Sequence, residues 1–147
     1  MICVTFRVLA ATILLAVGST AVAQSTLFQR LGGTEGVAAI ANTLIDRVVA
    51  DPQLGRSFKD SDVARIKRLL AEQLCELSGG GCQYSGDSMK QTHAGHHISQ
   101  AEFYGMVEDL RRVLKERSVD TRSINELLRL LAPMKRDIVE PAAPAAK

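Results

Sequence analysis

All three histidines of the chain fall within five residues, in Met89-Lys-Gln-Thr-His93-Ala-Gly-His96-His97-Ile-Ser99. A neutral imidazole nitrogen ligates zinc, copper and haem iron, so the cluster is the first place to look for chemistry. If residues 89–97 formed one helical piece, His93 and His97 would share a face at i,i+4, with His96 beside them. Gly95 weakens such a helix, and no carboxylate lies inside the segment to complete a ligand set. Spacing alone leaves three readings open: a transition-metal site of three imidazoles, a single haem ligand with two bystanders, or a solvated polar loop.

The elements that must position this segment read as helices. Val37, Ile40, Ala41, Leu44, Ile45 and Val48 recur at three- and four-residue steps, with Thr34 as the expected N-cap. Asp51-Pro52 stops that helix, because a residue before proline avoids the helical region. A second helix is expected from about Asp62, with Val63, Ile66, Leu70, Leu74 and Leu77 on one face. Lys67, Arg68, Glu72 and Glu76 take its other face, and Ser78-Gly-Gly-Gly81 ends it. Ser99-Gln-Ala-Glu102 is a capping box that opens a third helix, striped with Phe103, Met106, Val107, Leu110, Val113 and Leu114. A last helix covers about Thr121 to Val139, kinked or divided at Pro133, with Ile124, Leu127, Leu128, Leu131, Ile138 and Val139 inward. No stretch alternates at period two, so the class is all-α. Cys82 to Ile98, which carries the histidines, is weakly patterned and lies between two strong helices.

Before any of this comes Arg7, the ten-residue apolar run Val8–Val17, a small polar step and Ala21-Val-Ala23. That order describes an export signal over residues 1–23, cleaved after Ala23. The run is about half the roughly 20 residues needed to span a bilayer, so no stable membrane insertion is expected after cleavage. The expected location is the periplasm or the extracellular space. What remains is one globular domain over 24–140 and a flexible tail, residues 141–147, of Pro-Ala-Ala-Pro-Ala-Ala-Lys without periodicity. Without Arg7 the basic residues exceed the acidic by one, which gives no electrostatic case for nucleic acid or anionic membrane as a partner. The chain has no Trp and only 4% aromatic residues, so a bulky apolar cofactor would help fill its core. Cys75 and Cys82, in Cys-Glu-Leu-Ser-Gly-Gly-Gly-Cys, form a candidate disulfide in an oxidising compartment; free or buried thiols are the alternative. Their spacing does not suit a zinc half-site.

Several stretches together resemble the group I truncated haemoglobins, small globins built as a two-over-two helical sandwich around haem. The opening Leu27-Phe-Gln-Arg-Leu-Gly-Gly33 is similar to the family's start, and Val48-Val-Ala-Asp-Pro-Gln-Leu54 with Phe58 continues it. Gly80-Gly81, Tyr84-Ser-Gly86 and Met89-Lys-Gln-Thr-His93 carry the strongest likeness, and Leu130-Leu-Ala-Pro133 is similar to the last helix. The resemblance runs from about residue 26 to 139.

It implies non-covalent haem b with His93 as the proximal iron ligand and Phe58 stacked on the ring. By the same correspondence Met89, Ile98, Phe103, Met106 and Leu110 line the proximal and lower pocket, His96 meets a haem propionate, and His97 has no role. No Cys-x-x-Cys-His occurs, so thioether-linked haem is excluded, and the last helix has no histidine to tether the ring as in some relatives.

The chain departs from the family on the distal side. Many members place a tyrosine on the second helix and a glutamine on the next long helix to hydrogen-bond the ligand. Aligned without gaps around Ala50-Asp51, the tyrosine position is Ile45, beside Leu44, and the later positions are Ile66 and Leu70. A shift of one residue would put Asp46 there instead. Tyr84 and Tyr104 lie in other segments, and Gln73 is one turn beyond the glutamine position. A hydrogen bond to a charge-bearing group is worth roughly 1.5–3 kcal/mol, so a missing donor favours fast O2 release.

The resemblance therefore implies a haem protein binding a diatomic gas (O2, NO or CO), more a ligand binder than an enzyme. An NO dioxygenase or peroxidase-like haem enzyme is the first alternative. It would need an external reductase or electron donor, because the chain has no flavin or nicotinamide motif. A haemless helical protein binding metal through His93, His96 and His97 is the second.

Overall fold

The computed structural model describes residues 25–140, and among these no strand occurs. The predicted signal segment and the predicted tail lie outside the described residues.

Short α1 (Leu27–Arg30) starts from Thr26, whose hydroxyl accepts from the Gln29 amide while the Gln29 side chain returns to the Thr26 N–H. α2 (Gly33–Ala50) follows after Gly32, which sits at φ 94°, a left-handed conformation that glycine adopts freely. The expected Thr34 cap is thus displaced: Thr34 stands inside the first turn, and the N-cap is Gly32 without a side-chain bond. The backbone of Gly36 touches Leu31, and a Cβ there would lie 2.0 Å from the Leu31 carbonyl oxygen, so α1 and α2 meet too closely for any larger residue. Asp51 is extended and ends α2, as its proline neighbour requires.

A 3-10 turn (Gly55–Phe58) leads to α3 (Val63–Leu77), capped by the Asp62 carboxylate on the Arg65 amide. After Ser78 and Gly79 the chain runs without helix to α4 (Met89–His93). Then come α5 (Gln100–Glu116) and α6 (Thr121–Leu131), from the expected Ser99 capping box and from Asp120 respectively. A 3-10 turn at Ala132–Met134, with Pro133 in it, divides α6 from α7 (Lys135–Ile138).

α2 is the hub. It packs on α3 and on α5, and α6 packs on α5 and α1, which gives the two-over-two helical arrangement. The core sits where these faces meet: Ile40, Ala41, Leu74, Val113, Leu114 and Leu127 have no exposed surface. Hydrophobic burial of this kind contributes roughly 1.5–3 kcal/mol per large side chain. α4 has no buried residue of its own. It is held instead by α7, by its caps and by the loops on either side.

Candidate functional site

Beside the core, the helices leave a cavity of about 270 Å3 rather than closing completely. α2 contributes Leu44, Ile45 and Val48, and α3 contributes Ile66, Leu69, Leu70, Gln73 and Leu74. Phe58 and Ser57 enter from the 3-10 turn. The opposite wall is Met89, Thr92 and His93 of α4, then His96 and Ile98, then Phe103, Met106, Val107 and Leu110 of α5. Leu131, Met134 and Ile138 complete that side.

His93 is the one residue of the wall with both an iron-ligating atom and a fixed tautomer. It ends α4, and its Nδ1 lies 2.8 Å from the Met89 carbonyl oxygen one turn back. A carbonyl accepts only, so Nδ1 carries the proton and donates, leaving the lone pair on Nε2. Burial holds the imidazole below its ordinary pKa, outweighing the Met89 hydrogen bond that raises it; the nearby His96 lowers it further. A neutral ring with a free Nε2 is the form that binds iron.

The three histidines do not converge. α4 stops at His93, so the helical spacing with His97 is not realised. His96 lines the cavity. His97 is strongly exposed, with φ 52°, and its Nδ1 lies 2.8 Å from a Glu140 carboxylate oxygen. Among the described residues no group of three or more His, Cys, Asp or Glu side chains is placed to hold a metal ion.

Every predicted pocket position lines this one cavity: Leu44, Ile45, Phe58, Ile66, Leu70, Met89, His93, His96, Ile98, Met106 and Leu110. Ile45 is 1% exposed. Its neighbour Asp46 faces outward in an ion pair with Lys67, so the shifted frame with Asp46 in the pocket is not the one adopted. The same pair turns the Lys67 ammonium away from the cavity.

Sequence reasoning missed polar groups there, among them Gln73, Tyr84 and Ser57. Gln73 is buried, its amide nitrogen 3.5 Å from Met89 Sδ. It follows Ile66 by seven residues, a separation that returns to the same helical face, so the periodicity contained the signal. Tyr84 reaches the lining from the loop before α4, with its hydroxyl donating to the Asp87 carbonyl at 3.0 Å. Burial pushes its pKa up. The Ser57 hydroxyl is buried without a partner.

The loop that delivers α4 is covalently closed. Cys75, buried at the end of α3, is bonded to Cys82, with Cα atoms 5.7 Å apart. Gly80 lies between the Cys75 sulfur and the Phe28 ring, each 2.6 Å from where a Cβ would be. The Phe28 N–H donates to the Ser78 carbonyl at 3.0 Å, tying α1 to the same corner.

A long apolar slot with one correctly protonated imidazole in its wall fits a flat macrocycle whose iron takes a single protein nitrogen. Comparison with known proteins decides the family. The sequence pattern described as "Bacterial-like globin" matches residues 26–140. The chain belongs to the bacterial-like globin family. It is similar to a group 1 truncated hemoglobin of Synechocystis sp., 31% identical over 121 residues, covering 78% of this chain and 98% of that one. A group 1 truncated hemoglobin of Tetrahymena pyriformis is 27% identical over 114 residues, covering 78% and 94%. The crystal structure of the Tetrahymena pyriformis truncated hemoglobin in its Fe(III) form superposes with a TM-score of 0.75 at 26% identity, covering 80% of this globin and all of that chain. This globin accordingly binds haem without a covalent link, and through it a diatomic gas.

Proposed function

We propose that His93 holds the haem iron and that this globin binds and releases a diatomic gas against an apolar distal wall. The observation that carries this reading is the His93 tautomer: Nδ1 is occupied by Met89, and Nε2 is the nitrogen left for a metal at the cavity wall. His93 would hold the iron of bound haem, which would supply the gas-binding atom next to the apolar side of the cavity.

Leu44, Ile45, Ile66 and Leu70 offer that side no hydrogen-bond donor, and of the diatomic ligands O2 depends most on one. A donor to a charge-bearing group contributes roughly 1.5–3 kcal/mol, or about ten- to a hundredfold in affinity. Fast O2 release and a bias toward CO or NO follow, and durable O2 storage or transport does not. Gln73 approaches Met89 instead, on the α4 side. The exported setting belongs to the same proposal, supported by the Arg7 to Ala23 pattern and by a disulfide suited to an oxidising compartment. So does an external electron donor to keep the iron ferrous.

The deciding experiment is an absorption spectrum of the mature protein with haem, ferric and then dithionite-reduced, before and after CO. We expect a Soret band that shifts with CO, kept in His96→Ala and lost or converted to a weakly ligated form in His93→Ala. A band indifferent to His93→Ala would overturn the assignment. Stopped-flow displacement of O2 by CO then tests the distal wall: release as slow as in relatives with a distal tyrosine would refute it. The mass of the secreted protein, expected to begin at Gln24, tests export.

A further inference from the structure

We propose that Arg56 is a positioning residue that clasps the haem cavity shut on its α5 side, so that haem retention depends on it. The proposal rests on the haem reading above and concerns a residue outside the iron-ligating set.

One guanidinium holds three partners, on α5 and on residues 96–97. Arg56 Nε donates to Glu102 Oε1 at 2.6 Å, Nη1 to the His96 carbonyl at 3.2 Å, and Nη2 to the His97 carbonyl at 3.0 Å. Arg56 lies two residues before Phe58 on the 3-10 turn, and His96 lies three after His93. The clasp therefore joins the segment bearing the ring-stacking aromatic to the segment bearing the iron ligand, from either side of the slot. The Ser57 hydroxyl on the same turn is buried without a partner.

Its anchor is tied into the start of α5. The other Glu102 oxygen accepts from the Ser99 amide at 2.8 Å and from the Ser99 hydroxyl at 2.6 Å, the capping box that starts α5. One turn on, Gly105 has no side chain, and a Cβ there would lie 3.3 Å from Leu54 Cδ2, so Leu54 lies flat against α5. Leu54 and Glu102 each face two spaces: the internal cavity, and an outer polar groove that also touches Arg56, Asp109 and Arg112. The wall between haem site and solvent is one side chain thick there, and the Arg56–Glu102 pair fastens it. An arginine suits this task because its planar fork spans several acceptors at once, which a lysine ammonium cannot.

The test is the rate at which ferric holoprotein passes haem to an excess of a high-affinity apoglobin at pH 7, followed in the Soret band, with thermal unfolding of the apoprotein measured in parallel. Arg56→Gln should speed haem loss about tenfold or more, the equivalent of at least one net hydrogen bond, by more than the accompanying fall in apoprotein stability accounts for. Glu102→Gln should give a smaller acceleration, and Arg56→Lys should fall between Gln and wild type. Loss rates within about twofold of wild type in both Arg56→Gln and Glu102→Gln would overturn the clasp, since a single lost hydrogen bond exceeds that. Acceleration matched by an equal fall in apoprotein stability would also overturn it, leaving an ordinary structural ion pair. Wild-type protein that takes up no haem would instead defeat the haem reading itself.

Discussion

The two sides of the cavity are built on different terms. Along α2, α3 and α5, helices of fifteen to eighteen residues bury Ile40, Leu44, Leu74, Val113 and Leu114 almost completely. On the α4 side, a five-residue helix without one buried residue presents His93, between a glycine-rich loop and the His96–Ile98 segment. Isolated helices shorter than ~12–15 residues are marginal in water. α4 therefore depends on its surroundings: the Ser88 capping box, the Cys75–Cys82 bond, and the contacts that Arg56 and Glu140 make with residues 95–97. The stable side shapes the cavity and the weakly packed side supplies its ligand. Local opening there need not disturb the rest of the fold.

The strongest way to break that contrast is truncation in the core. Leu114→Ala, at a fully buried position, should cost about 2–5 kcal/mol in urea unfolding of the apoprotein, whereas Met89→Ala on α4 should cost about 1 kcal/mol or less. Equal costs would mean that α4 belongs to the cooperative core. Next comes the seam between the sides. Cys82→Ala opens a short ring and should lower stability by about 2–3 kcal/mol through the freed unfolded chain; a negligible change would show that the loop is already fixed by the Phe28–Ser78 contact.

Smaller still is a matched pair of caps. Ser99→Ala on α5 should reduce global stability by about 1 kcal/mol. Ser88→Ala removes the same bonds from α4 and should instead raise hydrogen exchange at Thr92 with little shift in the melting midpoint. Finally, Arg56 and Ser99 hold the Glu102 carboxyl at about 2, well below its ordinary 4.5. A depressed carboxyl stabilises fully above the unfolded value and loses that contribution as pH falls through the folded one. The stability difference between wild type and Glu102→Gln should thus be level above about pH 5 and shrink toward zero near pH 2; a difference that grew on acidification would contradict the pairing.

The sequence was most legible where burial is periodic. The stripes of α2, α3 and α5 and the Ser99 box mark helices because each rests on several residues repeating one signal. α1 and α4 are too short for a stripe, and their only local mark is Thr26-x-x-Gln29 and Ser88-x-x-Gln91, two capping boxes easy to pass over without a hydrophobic run behind them. Ile45 and Ile66 could be placed in the pocket by correspondence with relatives. Gln73 was legible only through its seven-residue step from Ile66, and Tyr84 not at all, because whether a loop side chain faces a cavity depends on where helices cross. The Arg56 clasp spans forty and forty-six residues of sequence, a separation that no local pattern encodes.

The far end of the described chain also has a bearing on where the protein can be cut. Beyond α7, the Glu140 amide donates to the Ile98 carbonyl at 3.0 Å, and its carboxylate accepts from the Gly95 amide at 2.7 Å and meets His97. Two residues past the last helical turn, the polypeptide returns to stitch down the strip beside the ligand-bearing helix. A truncation placed at Ile138, where regular structure stops, would keep every helix and still release that strip. A fusion or affinity handle is better joined after Glu140, and a deletion series stepping across 138–141 would find the working edge of the domain by a jump in cofactor release, with no change in helical content.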